Sequence, residues 1–367
     1  MKDKRVERLA RLLLNYSLGI KKGELLVIQA SYLAEPLIKE LYKESLRLGA
    51  HPHPLISIDG LTRIFYNQAR PHQLKYVSPI QEFIIKKVDG LLWILGSENT
   101  KTLTNVDPKR MAIARSSQER IQRIFINREK RGEVRWSGCL FPTNASAQDA
   151  EMSLDEYEDF VYKACFCHRG DPIKAWKAVR REQERLVRRL NRVKKIRIVT
   201  KGTDLEVGVR GRRWINCCGE RNMPDGEIFT SPLETKTKGR ILFDKYPGFY
   251  MGKEAEGIYL EFKDGKVVKA KARKGESFLN TMLKIDRGAQ RLGEISFGTN
   301  SNIKRFTRNT LFDEKIGSTM HLALGLALPE TGGKNFSSLH WDIVLDLSKG
   351  EVYGDGSLIY KNGCFLI

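Results

Sequence analysis

The sequence has no long hydrophobic run and little proline, and each shortage excludes a class of protein. Its apolar stretches are short, and none approaches the ~20 residues needed to span a bilayer. Only 12 prolines and no low-complexity tract argue against a fibrous or linker protein. Hydrophobic residues make up 41% and charged residues 29%, which are the values of a globular chain rather than a disordered one. At roughly 150 residues per domain, the length predicts two domains.

Cysteine is also scarce, and its spacing is informative. The chain has 6 cysteines and no C-x-x-C pattern, so neither a thiolate zinc site nor a thioredoxin-type motif is indicated. Cys165 and Cys167, like Cys217 and Cys218, are too close in sequence for an easy disulfide within each pair. Charges are threaded through the apolar residues of segment 1–15, which predicts an amphipathic helix rather than a signal peptide. We therefore expect reduced thiols and a cytoplasmic protein.

Positive charge is in excess. The formal net charge is +20, which attracts polyanions without specificity. Two segments with helical spacing, 109–131 and 177–197, concentrate the Lys and Arg residues. They are interpreted either as solvated helix faces or as a nucleic-acid contact surface, and the lack of interleaved aromatic residues disfavours base stacking. We expect weak, non-specific nucleic-acid binding at most. The abundance of Lys, Arg and Glu is also typical of proteins from heat-loving organisms.

The hydrophobic pattern predicts an α/β fold in two parts. Strand signals at 25–28, 54–58 and 90–95 alternate with helical segments, which is typical of a layered α/β domain with a parallel sheet. From about residue 196 onwards, short alternating runs and turn signals predict mainly antiparallel β-structure. Lys263–Lys266, for example, predicts a hairpin turn. We place the N-terminal α/β domain, with its basic helical segment, at 1–190. A C-terminal metal-binding domain is expected at 191–367.

The segment 337–347 carries the first chemical signal. Strand residues two apart project to the same side, so His340 and Asp342 face away from an apolar backing that includes Trp341 and Ile343. An imidazole and a carboxylate at this spacing can bind one metal ion or two adjacent ions. The alternative is a hydrogen-bonded surface pair.

Three further residues strengthen the metal interpretation. Glu294 lies in a glycine-flanked run without other charges, His321 lies in a similar run, and Glu227 lies between two prolines in a turn-rich segment. For His321 the alternative is a hydrogen-bonded core histidine. With His340 and Asp342 these residues form a set of two histidines and three carboxylates, which suits Zn²⁺, Co²⁺ or Mn²⁺. Five ligands exceed the need of one tetrahedral ion and suit two ions bridged by a carboxylate and a water.

The same motifs carry a family resemblance. NMPDGEIFTSP, LGEISFGTN, DEKIGSTMHLALG and PETGGKNFSSLHWD resemble, in order and spacing, the thermophilic aminopeptidases of the aminopeptidase T / aminopeptidase S metallopeptidase family. The resemblance extends more loosely over nearly the whole chain. It implies a dinuclear metal-dependent exopeptidase that acts on peptides, a homodimer and an active site inside a cavity. The implied metal ligands are Glu227, Glu294, His321, His340 and Asp342. Glu314 resembles the family glutamate near the catalytic water.

One position departs from the family. A tyrosine near the metals is expected seven residues after His321, and this chain has Leu328 there. Leucine neither ligates a metal nor donates a hydrogen bond, so slower turnover is expected. The predicted function is a metal-dependent aminopeptidase with Glu314 as the general base. Lys334 is interpreted as an ordinary surface lysine, and the alternative is that it binds a carbonyl or carboxylate of the peptide. The alternative is a family member that retains the fold, has little or no peptidase activity and acts as a basic nucleic-acid-binding or structural protein.

Overall fold

The computed structural model describes residues 3–367, which form two compact units. The first comprises residues 3–173 and 219–224, and the second comprises residues 174–218 and 225–367. The short segment 219–224 therefore interrupts the second unit in sequence. Residues 1 and 2, at the start of the predicted amphipathic helix, lie outside the described residues. No helix within 3–367 combines the length and apolar character that a membrane crossing requires.

The bounds of the elements follow in chain order. The α-helices are α1 Lys4–Leu12, α2 Glu35–Arg47, α3 Leu61–Gln68, α4 Pro71–Leu74, α5 Pro79–Lys87, α6 Pro108–Ser117, α7 Glu119–Lys130, α8 Asn144–Asp149, α9 Leu154–Ala164, α10 Pro172–Leu190, α11 Glu276–Leu283 and α12 Thr310–Asp313. The strands are β1 Leu25–Ser31, β2 His51–Ser57, β3 Gly90–Leu95, β4 Arg135–Leu140, β5 Lys195–Thr200, β6 Thr203–Gly208, β7 Ile215–Cys217, β8 Asn222–Met223, β9 Glu227–Thr230, β10 Thr237–Phe243, β11 Gly248–Tyr250, β12 Lys253–Ala255, β13 Ile258–Lys263, β14 Lys266–Lys271, β15 Leu292–Gly298, β16 Thr319–Gly325, β17 His340–Asp346, β18 Glu351–Gly354, β19 Ser357–Lys361 and β20 Cys364–Phe365.

The first unit contains the predicted parallel sheet. Its five strands have the order β2-β1-β3-β4-β8, and every neighbouring pair is parallel. Helices connect most of these strands, as the alternating sequence pattern predicts. Strand β2 begins at His51, three residues before the predicted start, because the pairing with β1 continues across Pro52 and Pro54. Proline is tolerated there because β2 is an edge strand.

The second unit is mainly antiparallel, as predicted. Its two larger sheets have the orders β14-β13-β10-β6-β5-β18-β19-β20 and β17-β16-β15-β9-β7, and β11 and β12 form a third, two-stranded sheet. The predicted hairpin joins β13 and β14, with positive φ angles at Asp264 and Gly265 that match a two-residue turn. One apolar core contains side chains from both sheets and from Leu186 and Leu190 of α10. This core fixes the backbone of the five-stranded sheet on one side.

The basic segment around 177–197 forms most of α10, which is amphipathic. Leu186 and Leu190 are buried, whereas Arg181, Arg185 and Arg188 are exposed. Arg185 forms an ion pair with Glu182 at 2.8 Å on this outer face. The arrangement agrees with a solvated helix face, the simpler of the two interpretations of this charge.

Candidate metal centre

Neighbouring strands of the five-stranded sheet bring the predicted ligands together on one face. The ligands are Glu227 at the start of β9, Glu294 in β15, His321 in β16, and His340 and Asp342 in β17. Across the strands, Glu294 and Asp342 are both in register with Ala323. The other face packs into the core through apolar residues such as Ile295 and Ile343. Glu227 was expected in a loop, but it begins a strand and is only 5% exposed.

The side chains of these residues approach within a few ångströms of one another. His321 Nε2 lies 3.2 Å from Glu294 Oε1, 3.6 Å from Glu227 Oε2 and 3.8 Å from Asp342 Oδ1. His340 Nε2 lies 3.4 Å from both Glu294 Oε2 and Asp342 Oδ1. Four strands therefore converge on one buried cluster of imidazoles and carboxylates.

The cluster divides into two groups that share one carboxylate. Glu227, Glu294 and His321 offer ligand atoms that all lie within 4.8 Å of one another, and Glu294, His340 and Asp342 do the same. Glu294 directs Oε1 towards His321 and Oε2 towards His340. Glu294 therefore belongs to both groups and contributes one oxygen to each.

The orientation of both imidazoles fits metal binding. His321 Nδ1 lies 3.1 Å from the Glu314 carbonyl, and His340 Nδ1 lies 2.9 Å from the Leu326 carbonyl. A carbonyl only accepts hydrogen bonds, so each Nδ1 carries the proton and the Nε2 lone pair of the neutral ring faces the carboxylates. Asp342 Oδ1 is buried and faces the Nε2 atoms of both rings, at 3.4 Å from His340 and 3.8 Å from His321. Ring lone pairs and anionic oxygens that face each other in this way could hold a cation between them.

In the metal-free protein, bound protons supply the positive charge between these groups. Burial lowers the pKa of both imidazoles, but the neighbouring carboxylates outweigh it. Glu294, Glu227 and Asp342 raise the pKa of His321 to about 10, and Asp342 and Glu294 raise that of His340 to about 12. The same two imidazoles outweigh burial at Glu294 and Asp342 and hold the pKa of each carboxyl below its usual value. Burial raises the pKa of Glu227 to about 8. The metal-free centre thus holds bound protons at neutral pH.

Glu314 and Lys315 lie beside the five ligands. Glu314 follows α12, and burial raises the pKa of its carboxyl. Lys315 is 1% exposed, and its Nζ lies 2.6 Å from Glu314 Oε2 and 3.5 Å from Glu227 Oε1. The sequence analysis missed Lys315, because a lysine within Asp313-Glu314-Lys315 resembles an ordinary solvated charge cluster.

A third group of potential ligands is already neutralised by this lysine. Cys217, Asp225 and Glu227 lie within 4.8 Å of one another through one atom each. Burial raises the pKa of the Cys217 thiol well above its usual value, so sulfur stays protonated. The Lys315 ammonium lies beside Glu227, and the nearby Asp225 carboxylate helps to raise the pKa of Lys315. We therefore infer that the Lys315 ammonium, rather than a metal ion, supplies the positive charge in this group.

A cavity of about 360 Å³ opens onto the second ligand group. Its wall includes His340 and Asp342 together with Tyr250 and Arg308, neither of which the sequence analysis had singled out. Leu328, the position of the family tyrosine, is not part of this wall, and its backbone N–H donates to Ser231 Oγ at 3.1 Å. The slower turnover expected from Leu328 stays a prediction.

Lys334 does not lie at the cavity either. Its side chain is exposed, and it is not among the residues of the cavity wall. The backbone N–H of Lys334 donates to Glu234 Oε1 at 2.8 Å, which holds the surface loop in place. This placement favours the surface interpretation of Lys334 over a peptide-binding role.

Known proteins are similar to this chain along almost its whole length. The family model described as thermophilic metalloprotease (M29) matches residues 2–365. Aminopeptidase 2 of Geobacillus stearothermophilus is 27% identical over 405 aligned residues, which cover 98% of this chain and 97% of the relative. Aminopeptidase T of Thermus thermophilus is 26% identical, with 98% and 95% covered. The solved structure of wild-type AmpT from Thermus thermophilus superposes with a TM-score of 0.85 at 25% identity and covers 99% of both chains.

Proposed function

This chain belongs to the thermophilic metalloprotease family M29, and from that membership we propose that it is an aminopeptidase with a two-metal centre. It would release N-terminal residues from peptides by hydrolysis. The relatives that match along almost the whole chain are named aminopeptidases, which supports the reaction class. The observation that carries the two-metal proposal is Glu294, whose two oxygens serve two separate ligand groups.

The ligand set restricts the metal. Two imidazoles and three carboxylates are borderline-to-hard ligands, so we propose Zn²⁺, Co²⁺ or Mn²⁺ as the ions. When bound, two such ions would lower the pKa of a shared water, polarise the scissile carbonyl and accept the lone pair of the free α-amine. Glu227 and His321 would hold one ion, His340 and Asp342 the other, and Glu294 both.

Residues of the chain itself would carry out the proton transfers. Glu314 is the proposed general base, and its raised pKa moves it towards the neutral range in which a base is most effective. It would take a proton from the attacking water and pass it to the leaving nitrogen. Lys315, 2.6 Å from Glu314 Oε2, would hold that carboxylate in one orientation and keep it from becoming too basic.

Chelation separates this proposal from the non-enzymatic alternative. The protein is dialysed against a chelator, reloaded with Co²⁺, Zn²⁺ or Mn²⁺, and assayed with an aminoacyl fluorogenic amide. Release that disappears with chelation and returns with metal would support the aminopeptidase. The absence of turnover in every metal, together with nucleic-acid binding that persists in moderate salt, would favour the alternative. Binding through scattered Lys and Arg alone falls steeply with salt.

Metal binding should release protons. At pH 7 the raised pKa values keep His321, His340 and Glu227 protonated in the metal-free protein, and ions displace those protons. We expect about two to three protons to be released per protein when both positions fill, and the apparent affinity should therefore rise with pH. Calorimetric titration at pH 7 in two buffers of different ionisation enthalpy measures this number. Release of no protons would contradict the assigned protonation states.

We also propose a cytoplasmic homodimer. Large apolar side chains are exposed in the first unit, including Ile58, Leu61, Ile80 and Phe83. Exposed apolar side chains mark a surface that another protein covers when they form a contiguous patch, which we propose for these residues. Light scattering should therefore give about twice the 42.0 kDa of one chain, and replacement of Ile80 and Phe83 by serine should shift the protein towards the monomer. A wild-type monomer at micromolar concentration would contradict the proposal.

The cytoplasmic location is supported by the cysteine content, which suits a reducing compartment.

A further inference from the structure

Glu227 contributes to the first ligand group (Glu227, Glu294 and His321) from the first residue of β9. Its carboxylate has a defined place there, with Oε2 3.6 Å from His321 Nε2 and Oε1 3.5 Å from Lys315 Nζ. A glutamate side chain has several rotatable bonds, and fixing them costs conformational entropy. Residues that fix Glu227 in advance would therefore make this group a better metal site.

Ser296 fixes the carboxylate of Glu227. It lies in β15 two residues after Glu294, so the two side chains share one face of the sheet, and β16 places His321 opposite Ser296. Ser296 is fully buried, and its hydroxyl donates to Glu227 Oε2 at 3.2 Å. This oxygen is the one that faces His321. The hydrogen bond therefore orients the carboxylate towards the other ligands of the group.

Gln183 fixes the backbone at the same position. It lies on the buried side of α10 and is only 1% exposed. Its side-chain nitrogen Nε2 donates to the Glu227 carbonyl at 2.6 Å and to the Cys217 carbonyl at 3.1 Å. An amide nitrogen has two hydrogens, which matches these two acceptors. Because Cys217 and Glu227 are paired across β7 and β9, one amide ties the two strands together where β9 begins.

Two elements that are far apart in sequence thus converge on one ligand. A buried hydroxyl or amide costs free energy unless it is hydrogen-bonded, and many such groups only satisfy the backbone around them. Thr230 is an example in the same strand as Glu227: it is fully buried, and its Oγ1 donates to the Arg213 carbonyl at 2.9 Å. Ser296 differs because its acceptor is a carboxylate of the candidate metal centre.

We propose that Ser296 and Gln183 are positioning residues that hold Glu227 ready for metal and so set the metal affinity of the first ligand group. This proposal rests on the proposed two-metal centre. Both residues would act through Glu227 rather than on the ions or the substrate, as the partners of metal ligands commonly do. Within residues 3–367 no hydrogen bond joins either of them to His340 or Asp342. We therefore expect the second ligand group, to which those two residues belong, to be unaffected.

Two background variants isolate the two groups for a titration of the metal-free protein with Co²⁺. Asp342→Asn removes a ligand of the second group only, so the remaining ion should occupy the first group, and Glu227→Gln does the reverse. Addition of Ser296→Ala or Gln183→Met to the Asp342→Asn background should weaken Co²⁺ binding about 10–100-fold. Addition of Ser296→Ala to Glu227→Gln should leave the dissociation constant unchanged. Calorimetry measures these constants, and the visible absorption of bound Co²⁺ reports the geometry of each site.

Thr230→Val is the matched control, because it removes a buried hydroxyl whose acceptor is a backbone carbonyl. In the Asp342→Asn background it should lower the melting midpoint without changing the Co²⁺ dissociation constant or spectrum. Ser296→Ala deletes only a hydroxyl, so it decides the outcome if a thermal melt shows that Gln183→Met does not fold. Unchanged Co²⁺ binding in Ser296→Ala, or equal weakening by Thr230→Val, would overturn this proposal. A wild-type protein that binds no Co²⁺ would instead overturn the two-metal centre itself.

Discussion

Glu294→Gln should empty both metal positions and lower kcat by about 10³ or more. The amide keeps the shape of the side chain but removes the negative charge that both ligand groups use. Loss of a partner outside the direct ligands already costs about 10–100-fold in affinity or activity, so loss of a shared ligand should cost more. Metal content after reloading, measured by elemental analysis, should fall from about two ions per chain to less than one.

A comparison with Glu227→Gln tests whether Glu294 serves both ligand groups. Glu227 belongs to only one of the two histidine-containing groups, so its variant should keep about one ion per chain. Glu330→Gln is the control, because Glu330 is exposed and the variant changes the net charge by the same amount. If the Glu294 variant binds as much metal as wild type, the shared-carboxylate geometry does not describe the loaded enzyme.

Lys315→Met should produce the largest loss of stability. The ammonium lies between Glu314 and Glu227, so its removal leaves the Glu314 carboxylate, and Glu227 wherever it is ionised, buried without a compensating charge. Breaking a buried ion pair in this way costs about 3–5 kcal/mol in the free energy of unfolding. We expect the melting midpoint of the metal-free protein to fall by on the order of 10 °C. Lys349→Met, at an exposed lysine of the same unit, should leave the midpoint unchanged.

The loss of stability caused by Lys315→Met should also depend on pH, and the direction of that dependence can be predicted. Burial already raises the pKa of Glu227 to about 8, and removal of Lys315 should raise it further. A carboxyl whose pKa is raised by folding stabilises the folded state when protonated, and that contribution is lost as pH rises through the folded pKa. The difference between Lys315→Met and wild type should therefore grow from pH 6 to pH 9. A difference that shrinks over this range would show that Glu227 is not the group left uncompensated.

Much of the fold could be predicted from the sequence, because its signals are local. Parallel-strand runs such as 90–95, the turn at Asp264-Gly265 and the change to short alternating runs near 196 each depend on a few neighbouring residues. The shared direction of His340 and Asp342 follows from the two-residue period of a strand. Glu227, Glu294 and His321 stood out because charged or titratable groups are unusual in apolar, glycine-rich surroundings.

Only the tertiary structure decided how these groups are related in space. The order β17-β16-β15-β9 depends on long-range pairing, and it places one Glu294 oxygen beside each histidine. The burial of Lys315 is also a tertiary feature, because its neighbouring sequence does not distinguish a solvated lysine from one enclosed by carboxylates. Arg308 likewise lies on the cavity wall beside Tyr250 and His340, which are distant from it in sequence. Local periodicity determined which residues face the same way, whereas strand pairing and packing determined which of them lie within a few ångströms of one another.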